Sequence, residues 1–300
     1  MLSVCIPVYN VKVSKLVKAL SVQVTALGVP AEIIIIDDYS DAQYQDENKG
    51  LASETVKYTY LPENIGRARI RNLFLKYVMY DNLLFLDCDS EILDNRFLTN
   101  YIEEIKKGEK VICGGRVYSE QKPDRSTRLN WQYGRKKESK PAKERQMNPN
   151  ASFMTNNFVV ERKVFEAVQL NEKITGYGHE DTLFGYELKV RNISIKHIDN
   201  PVLHAELNTN KVFMDNTDSA IRNLNEIMQF MGSDKTFIND ITLLRVYSKL
   251  NKYGLTFFVR LAFIIKRPFI RPLLCSGFAS MFLLDFYKLG YFSVLRNKSS

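Results

Sequence analysis

The sequence predicts an α/β fold: a mostly parallel, doubly wound sheet followed by a helical C-terminal extension. Three observations carry that expectation. Short apolar runs rich in β-branched residues alternate with amphipathic segments over the first 115 residues; a polar, charged stretch then breaks the rhythm; and beyond Lys211 the apolar residues recur at helical spacing. With 300 residues, 45% of them hydrophobic and 25% charged, the chain suits one large core or two modest ones, and its composition is neither disordered nor fibrous.

"LSVCIPV" (2–8) and "EIIIIDD" (32–38) read as parallel strands buried on both faces. Between them, Ser14 is expected to cap a helix that puts Leu16, Val17, Leu20 and Val24 on one face, completing a βαβ unit. "VKYTYL" (56–61) is a third strand, followed by a helix in which Ile70, Leu73, Phe74, Tyr77 and Val78 keep helical spacing. "NLLFLD" (82–87), a helix near 96–107 and "KVICGG" (110–115) continue the alternation. From about Tyr118 to Asn150 the pattern fails, and a long polar loop carrying the chain's single tryptophan, Trp131, is expected. Helices are expected to begin near Glu161 and Glu180, with a late strand at "ISIKHI" (193–198). Ile221, Leu224, Ile227, Met228 and Met231 then mark a long helix, and no internal repeat or low-complexity tract is present.

The net charge of +8 is concentrated at one end. From Arg245 onward there are ten Lys or Arg against one acid, Asp285, while residues 1–244 are nearly neutral, with 32 bases against 33 acids. A cationic, apolar tail points to an anionic membrane surface and away from nucleic acid. Its apolar stretches, "LTFFVRLAFII" and "LLCSGFASMFLLDFY", are shorter than the roughly 20 residues a spanning helix needs. The alternative is helices packed on the domain. No secretory signal is read at the N-terminus, and the scattered cysteines 5, 88, 113 and 275 read as reduced thiols, so a cytoplasmic location is expected.

In an open α/β sheet, ligands bind beyond the carboxyl ends of the strands. Asp37 and Asp38 end the second strand, and Asp87 and Asp89 end the fourth, so separate elements deliver carboxylates to one edge. Like charges so placed repel unless a cation, a helix N-terminus or a metal sits among them. Oxygen ligands of this kind suit Mg²⁺ or Mn²⁺ shared with substrate phosphates. Further along, Gly176 and Gly178 permit close approach to a ligand, and Glu180 and Asp181 open a helix whose dipole favours their charged forms.

"SVCIPVYN", "IIIIDDYS", "NIGRARIRN", "FLDCDSEI", "NNFVVERKVFEAV" and "GYGHEDTLFGYELKVRN", in this order over about residues 2–205, resemble the inverting GT-A glycosyltransferases of family 2. The "GHEDTLFGYEL" block looks especially like enzymes of bacterial surface or capsular polysaccharide synthesis, including the chondroitin-polymerase type. The resemblance implies a GT-A catalytic domain over residues 1–210, with a nucleotide-sugar half over about 1–115 and an acceptor half over about 116–210, ahead of the basic helical segment 211–300. It also implies a UDP-sugar donor, Mn²⁺ or Mg²⁺, and a glycan or lipid-linked glycan acceptor at the inner face of the cytoplasmic membrane.

By that resemblance Pro7, Val8 and Tyr9 would line the nucleotide pocket, and Asp38 or its neighbour Asp37 would accept a hydrogen bond from the uracil. Arg71 would lie near the nucleotide, with Arg67 and Arg69 adding charge or facing solvent. Asp87 would contact ribose and the metal's surroundings, Asp89 would ligate the metal, and His204 sits where some relatives place a third ligand. Asp181 would be the base that deprotonates the acceptor, with Glu180 orienting it. His179 would touch acceptor or phosphate, or be exposed. Trp131 would be a sugar platform or a loop anchor, and Asn156 and Asn157 would line the acceptor side or cap a helix. His197 is expected to be structural and Cys88 to point into the core. A sugar nucleotidyltransferase is disfavoured because "IPVYNVKVSK" lacks a glycine-rich phosphate loop; a non-catalytic binding module would not need both acidic motifs intact. Oligomeric state is left open.

Overall fold

The computed structural model describes residues 1–298 apart from 175, 233 and 279. The chain divides into two compact units: residues 1–119, 138–173 and 180–206 form the first, and 120–137, 174–179 and 207–300 form the second.

The first unit is built on a seven-stranded sheet. Its strands are β1 (Leu2–Val8), β2 (Ala31–Asp37), β3 (Val56–Tyr60), β4 (Asn82–Leu86), β6 (Val111–Cys113), β8 (Asn157–Glu161) and β9 (Lys196–His197), in the order β3-β2-β1-β4-β8-β6-β9. β1 pairs in parallel with β2 and β4, β2 with β3, and β6 with β9, while β8 runs antiparallel between β4 and β6. Ile33 to Ile36 are fully buried because helices cover both faces, which is why β2 reads as an unbroken apolar run and not an alternating one. One core holds Leu16, Leu20 and Leu84; the other is dominated by the aromatic side chains of Phe74, Phe85, Phe158, Phe165 and Phe184. A small second sheet, β5 (Ser90–Ile92), β10 (Val202–His204) and β7 (Arg116–Val117), stands beside the main one.

The order reverses at β1: β2 follows on one side and β4 on the other. Pairing with β4 stops at Cys5, so Ile6 to Val8 have only β2 as neighbour. Pro7, which has no amide hydrogen to donate, is tolerated there, and such a switch point is where ligands bind in sheets of this kind.

Several local expectations are corrected. The first helix is Ser14–Ala26, preceded by Val13 with no side-chain cap; Ser14 Oγ instead lies 3.2 Å from Glu47 Oε1 as donor to that carboxylate. The polar stretch 118–150 is no featureless loop, for it contains the short helices Arg128–Tyr133 and Ala142–Gln146 and a wide turn over Gly134–Glu138. The late strand shrinks to Lys196–His197.

The second unit is helical. Its main elements are Asn210–Met231, Thr242–Lys252, Thr256–Cys275 and Met281–Lys298. Thr209 caps the first of these, accepting from the Val212 amide at 3.3 Å. Met214, Phe263, Leu274, Leu284 and Tyr287 form its core.

Candidate active site

The carboxyl ends of β1, β2 and β4 carry the nucleotide-side candidates. Asp37 is fully buried and accepts from the Ser40 amide at 2.8 Å and the Tyr58 hydroxyl at 2.9 Å. Asp38 takes the Ile65 amide at 2.7 Å and the Gly66 amide at 3.0 Å, one on each oxygen, so it ties β2 to the "NIG" turn. Burial pushes its pKa up, the two amides pull it back, and nearby Asp37 adds to the rise. Tyr9 and Tyr39 stand about half exposed at the ends of β1 and β2, and Tyr39 lies 5.9 Å from the ring of Tyr60. Tyr39 holds a left-handed φ of 71°, and Asn10, with φ 54°, shares hydrogen bonds with Ser40 and Asp41. Non-glycine residues with this conformation collect where a site over-determines the backbone. Tyr39 is missed by the sequence reading, although its position straight after "DD" is a signal.

Beyond β4, Asp87 is gripped from two sides. Arg71 Nη2 donates to its Oδ1 at 2.5 Å and Arg116 Nη2 to its Oδ2 at 3.1 Å. Burial alone would raise the Asp87 carboxyl, but Arg71, Arg67 and Arg116 outweigh it and hold the pKa at about 2. Arg71 is itself buried and donates to the Arg67 carbonyl at 3.1 Å, so it acts on Asp87 and not as an exposed cation. Arg116 begins β7, and Tyr118 and Glu138 complete its surroundings, with the Tyr118 hydroxyl donating to Glu138 Oε2. Arg116, Tyr118 and Glu138 are further residues that sequence reasoning passes over, because the pairing of β7 with β10 brings Arg116 to Asp87 and only the bonds of Arg116 and Tyr118 bring in Glu138.

Asp89 and His204 meet. β10 pairs with β5 so that His204 faces Ser90, and the Ala205 amide donates to the Asp89 carbonyl at 3.1 Å. His204 Nδ1 lies 3.1 Å from Asp89 Oδ2 without hydrogen-bond geometry, and both Nδ1 and Asp89 Oδ1 are buried with no hydrogen-bond partner. The Tyr118 ring packs edge-on against the imidazole at 5.1 Å between centroids. A carboxylate and an imidazole turned toward one another, with a buried oxygen and a buried nitrogen lacking hydrogen-bond partners, are a pair of donor types that suits a divalent cation. Among the described residues no three His, Cys, Asp or Glu side chains form a ready-made cage. Cys88 packs against the core, takes the Tyr9 amide, and has its pKa pushed up to about 12 by burial and by Asp89 and Asp87.

Glu180 and Asp181 open the helix Glu180–Val190 as expected. Arg67 Nε donates to Glu180 Oε1 at 2.8 Å, while Glu180 Oε2 is buried and without a hydrogen-bond partner. Arg67 is therefore no mere surface charge: it pulls on Asp87, Glu180 and Asp181 alike, joining the two acidic motifs. Asp181 Oδ1 accepts from the Thr182 amide at 2.7 Å. Burial and the neighbouring Glu180 push its pKa up to about 6 against the opposing pull of Thr182 and Arg67. Such a carboxyl is ionised at neutral pH and has more proton affinity than an exposed one.

Asn157 is corrected. Its side chain is wholly engaged inside the protein, accepting from Tyr101 at 2.6 Å and donating to the carbonyls of Gly115 and Asn200 at 3.0 and 2.9 Å. Asn156 is the opposite case: it is 3% exposed and neither its Oδ1 nor its Nδ2 has a partner, although its carbonyl accepts from the Asp87 amide at 3.0 Å. His197 is structural as expected, with Arg145 Nη1 on its Nδ1 at 2.7 Å and the Pro149 carbonyl 2.9 Å from Nε2. Arg69 is a peripheral cation 3.7 Å from Glu172. Trp131 and His179 belong to the second unit; Trp131 stacks under the Arg135 guanidinium at 5.3 Å, and His179 takes a left-handed φ of 72°.

A family model described as glycosyl transferase family 2 matches residues 3–168, more than half of the chain. The chain belongs to glycosyl transferase family 2. Among solved structures, this family 2 glycosyltransferase is similar to a mannosyltransferase from Pyrobaculum calidifontis, crystallised with GDP-Man and Mn²⁺. The TM-score is 0.59 and the identity 11%, over 99% of this chain and 86% of that one. That likeness supports the GT-A fold. It is also similar to S. aureus TarS (residues 1–349) at TM-score 0.46 and 16% identity, covering 100% and 92% of the two chains, a likeness too loose to add to the argument. No curated protein matches it by sequence.

Proposed function

We propose that this glycosyltransferase moves a sugar from a UDP-sugar to a hydroxyl of a glycan or lipid-linked glycan acceptor, with inversion, in the synthesis of a surface polysaccharide. The observation that carries the reading is the pair Glu180 and Asp181 at the start of a helix, tied by Arg67 to the element that holds Asp87; burial and Glu180 raise the Asp181 carboxyl.

Asp181 takes the proton from the acceptor hydroxyl as its oxygen forms a bond to the anomeric carbon. The bond from that carbon to the diphosphate breaks on the opposite face, and its electron pair leaves with UDP. Glu180, anchored by Arg67 and with one free oxygen, orients the acceptor; the unpartnered amide of Asn156 offers it a further donor and acceptor. Tyr9 and Tyr39 flank the base, and Asp87, held in place by two arginines, receives the ribose. Asp89 and His204 would hold the divalent ion, which when bound neutralises the leaving diphosphate. With an imidazole in the set, Mn²⁺ is the first ion to test.

The experiment is release of UDP or GDP from a panel of UDP-sugars and GDP-mannose, with Mn²⁺ or Mg²⁺, in the presence and absence of candidate acceptor oligosaccharides. Acceptor-stimulated release from one UDP-sugar, lost in Asp181→Asn while nucleotide binding persists, is the expected result. Wild-type transfer by that variant would sink the base assignment.

A further inference from the structure

The helix Thr256–Cys275 of the second unit has two unlike faces. Phe263, Ile270 and Leu274 are buried and fall on one side of a wheel with 3.6 residues per turn. On the opposite side stand Phe257, Phe258, Leu261, Ile264, Ile265 and Phe269, each from 46% to 75% exposed. Phe278 and Phe282, just beyond, are exposed as well. A contiguous apolar stripe of this kind is uncommon on a protein that keeps it in water.

Its borders are cationic. Arg260 and Arg267 follow one margin of the stripe and Lys266 the other, while Arg271, on the first margin, is paired with Asp215 and Asp218; along the chain from Thr242 to Leu284 there are seven Lys or Arg and no acid. Arg245, Lys249 and Lys252, on the preceding helix, are exposed. The stripe also contains exposed Pro268 and Pro272. A proline inside a helix leaves the carbonyl four residues earlier without its amide, here those of Ile264 and Pro268, and an unpaired carbonyl is tolerated among hydrated headgroups and not in hydrocarbon. Among the described residues no helix is long and apolar enough to cross a membrane.

We propose that this face of Thr256–Cys275 is an interfacial membrane anchor, lying flat in an anionic lipid surface with its phenylalanines among the acyl chains and its cations on the headgroups. The occupant is fixed by charge: a second copy of the chain would bring the same cations against themselves, whereas an acidic lipid surface complements them. The inference does not depend on the donor or acceptor proposed above.

The test is sedimentation of the full chain with vesicles of phosphatidylcholine, alone or with 30% phosphatidylglycerol. The expected result is half-binding at an at least about tenfold lower lipid concentration on the anionic vesicles, weakened by about 0.5 M salt. Phe258→Glu, Ile265→Glu and Phe269→Glu together should cost at least about tenfold, and Arg245→Gln, Lys249→Gln and Lys252→Gln together should weaken anionic binding alone. Both variants change exposed side chains, and unchanged thermal unfolding would show that they fold. Equal binding to both vesicle types, or unaltered binding by the phenylalanine-face variant, would overturn the proposal. So would a wild-type dimer in solution that binds no lipid and becomes monomeric in that variant.

Discussion

At the scale of single residues, Asp181 and Asp87 are opposite solutions for a half-buried carboxyl. Asp181 is raised by burial and by Glu180, so its ionised form costs stability. An unfolded aspartate titrates near 3.8; between that pH and about 6 the folded chain loses stability as pH rises, and the loss is complete above 6. Asp181→Asn should therefore abolish transfer yet gain about 1 kcal/mol or more at pH 8, a gain that vanishes below pH about 4. Denaturant unfolding at the two pH values checks it. In the wild type, acceptor-dependent transfer should fall as pH drops through about 6, because the protonated carboxyl no longer takes a proton.

Asp87 carries the reverse sign. Its pKa of about 2 lies below the ordinary 3.8, so its pairing stabilises the fold fully above pH about 4, and that stability is lost as pH falls toward 2. Replacing it leaves the buried Arg71 without its carboxylate, and Asp87→Asn should cost about 3–5 kcal/mol, measurable by urea unfolding. The sequence shows both acids plainly. It does not show which is gripped and which is raised, since Arg71 and Arg116 are separated from Asp87 by 16 and 29 residues.

At the scale of elements, the strands whose burial is two-sided are legible: "EIIIID" can be little other than an inner strand. The two-residue β7 and the three-residue β10 are not, because elements so short carry no period. Yet β7 and β10 deliver Arg116 and His204, and the turn between β6 and β7 decides where they fall. Gly114 is there because the Tyr101 hydroxyl, the Asn157 amide and the Asn200 carbonyl crowd its α-carbon; a Cβ would come within 2.1 to 2.5 Å of them. Gly114→Ala should lower the melting temperature by about 4 °C or more, against a change of about a degree or less for Gly50→Ala, where φ is −64° and an added Cβ meets only ordinary contacts, as read by calorimetry. Arg145 works at the same scale, donating to the carbonyls of Cys113, Gly114 and Ile198, and holds β6 and β9 in place beyond their last ladder bonds.

At the scale of the molecule, ligand binding should be felt as stability. Mn²⁺ with UDP at about a hundredfold excess over their Kd should add about 2.7 kcal/mol to the fold, and Asp89→Ala or His204→Ala should remove the metal-dependent part of the thermal shift. A shift from UDP that is indifferent to metal in both wild type and variants would contradict the assigned pair.

The sequence by itself determined the alternating α/β plan, the acidic motifs at strand ends, the acidic start of the helix at Glu180 and the cationic character of the last 56 residues, since these are properties of period, order and composition. Tertiary structure decided what each side chain does with its polar atoms. Only packing shows that Asn157 is locked inside while Asn156 is unpartnered, that Arg67 bridges the two acidic motifs, and that His204 turns to Asp89. The reason is physical: a hydrogen-bond partner is chosen by proximity in space, and the partners here are separated by up to 115 residues of chain that no local pattern spans.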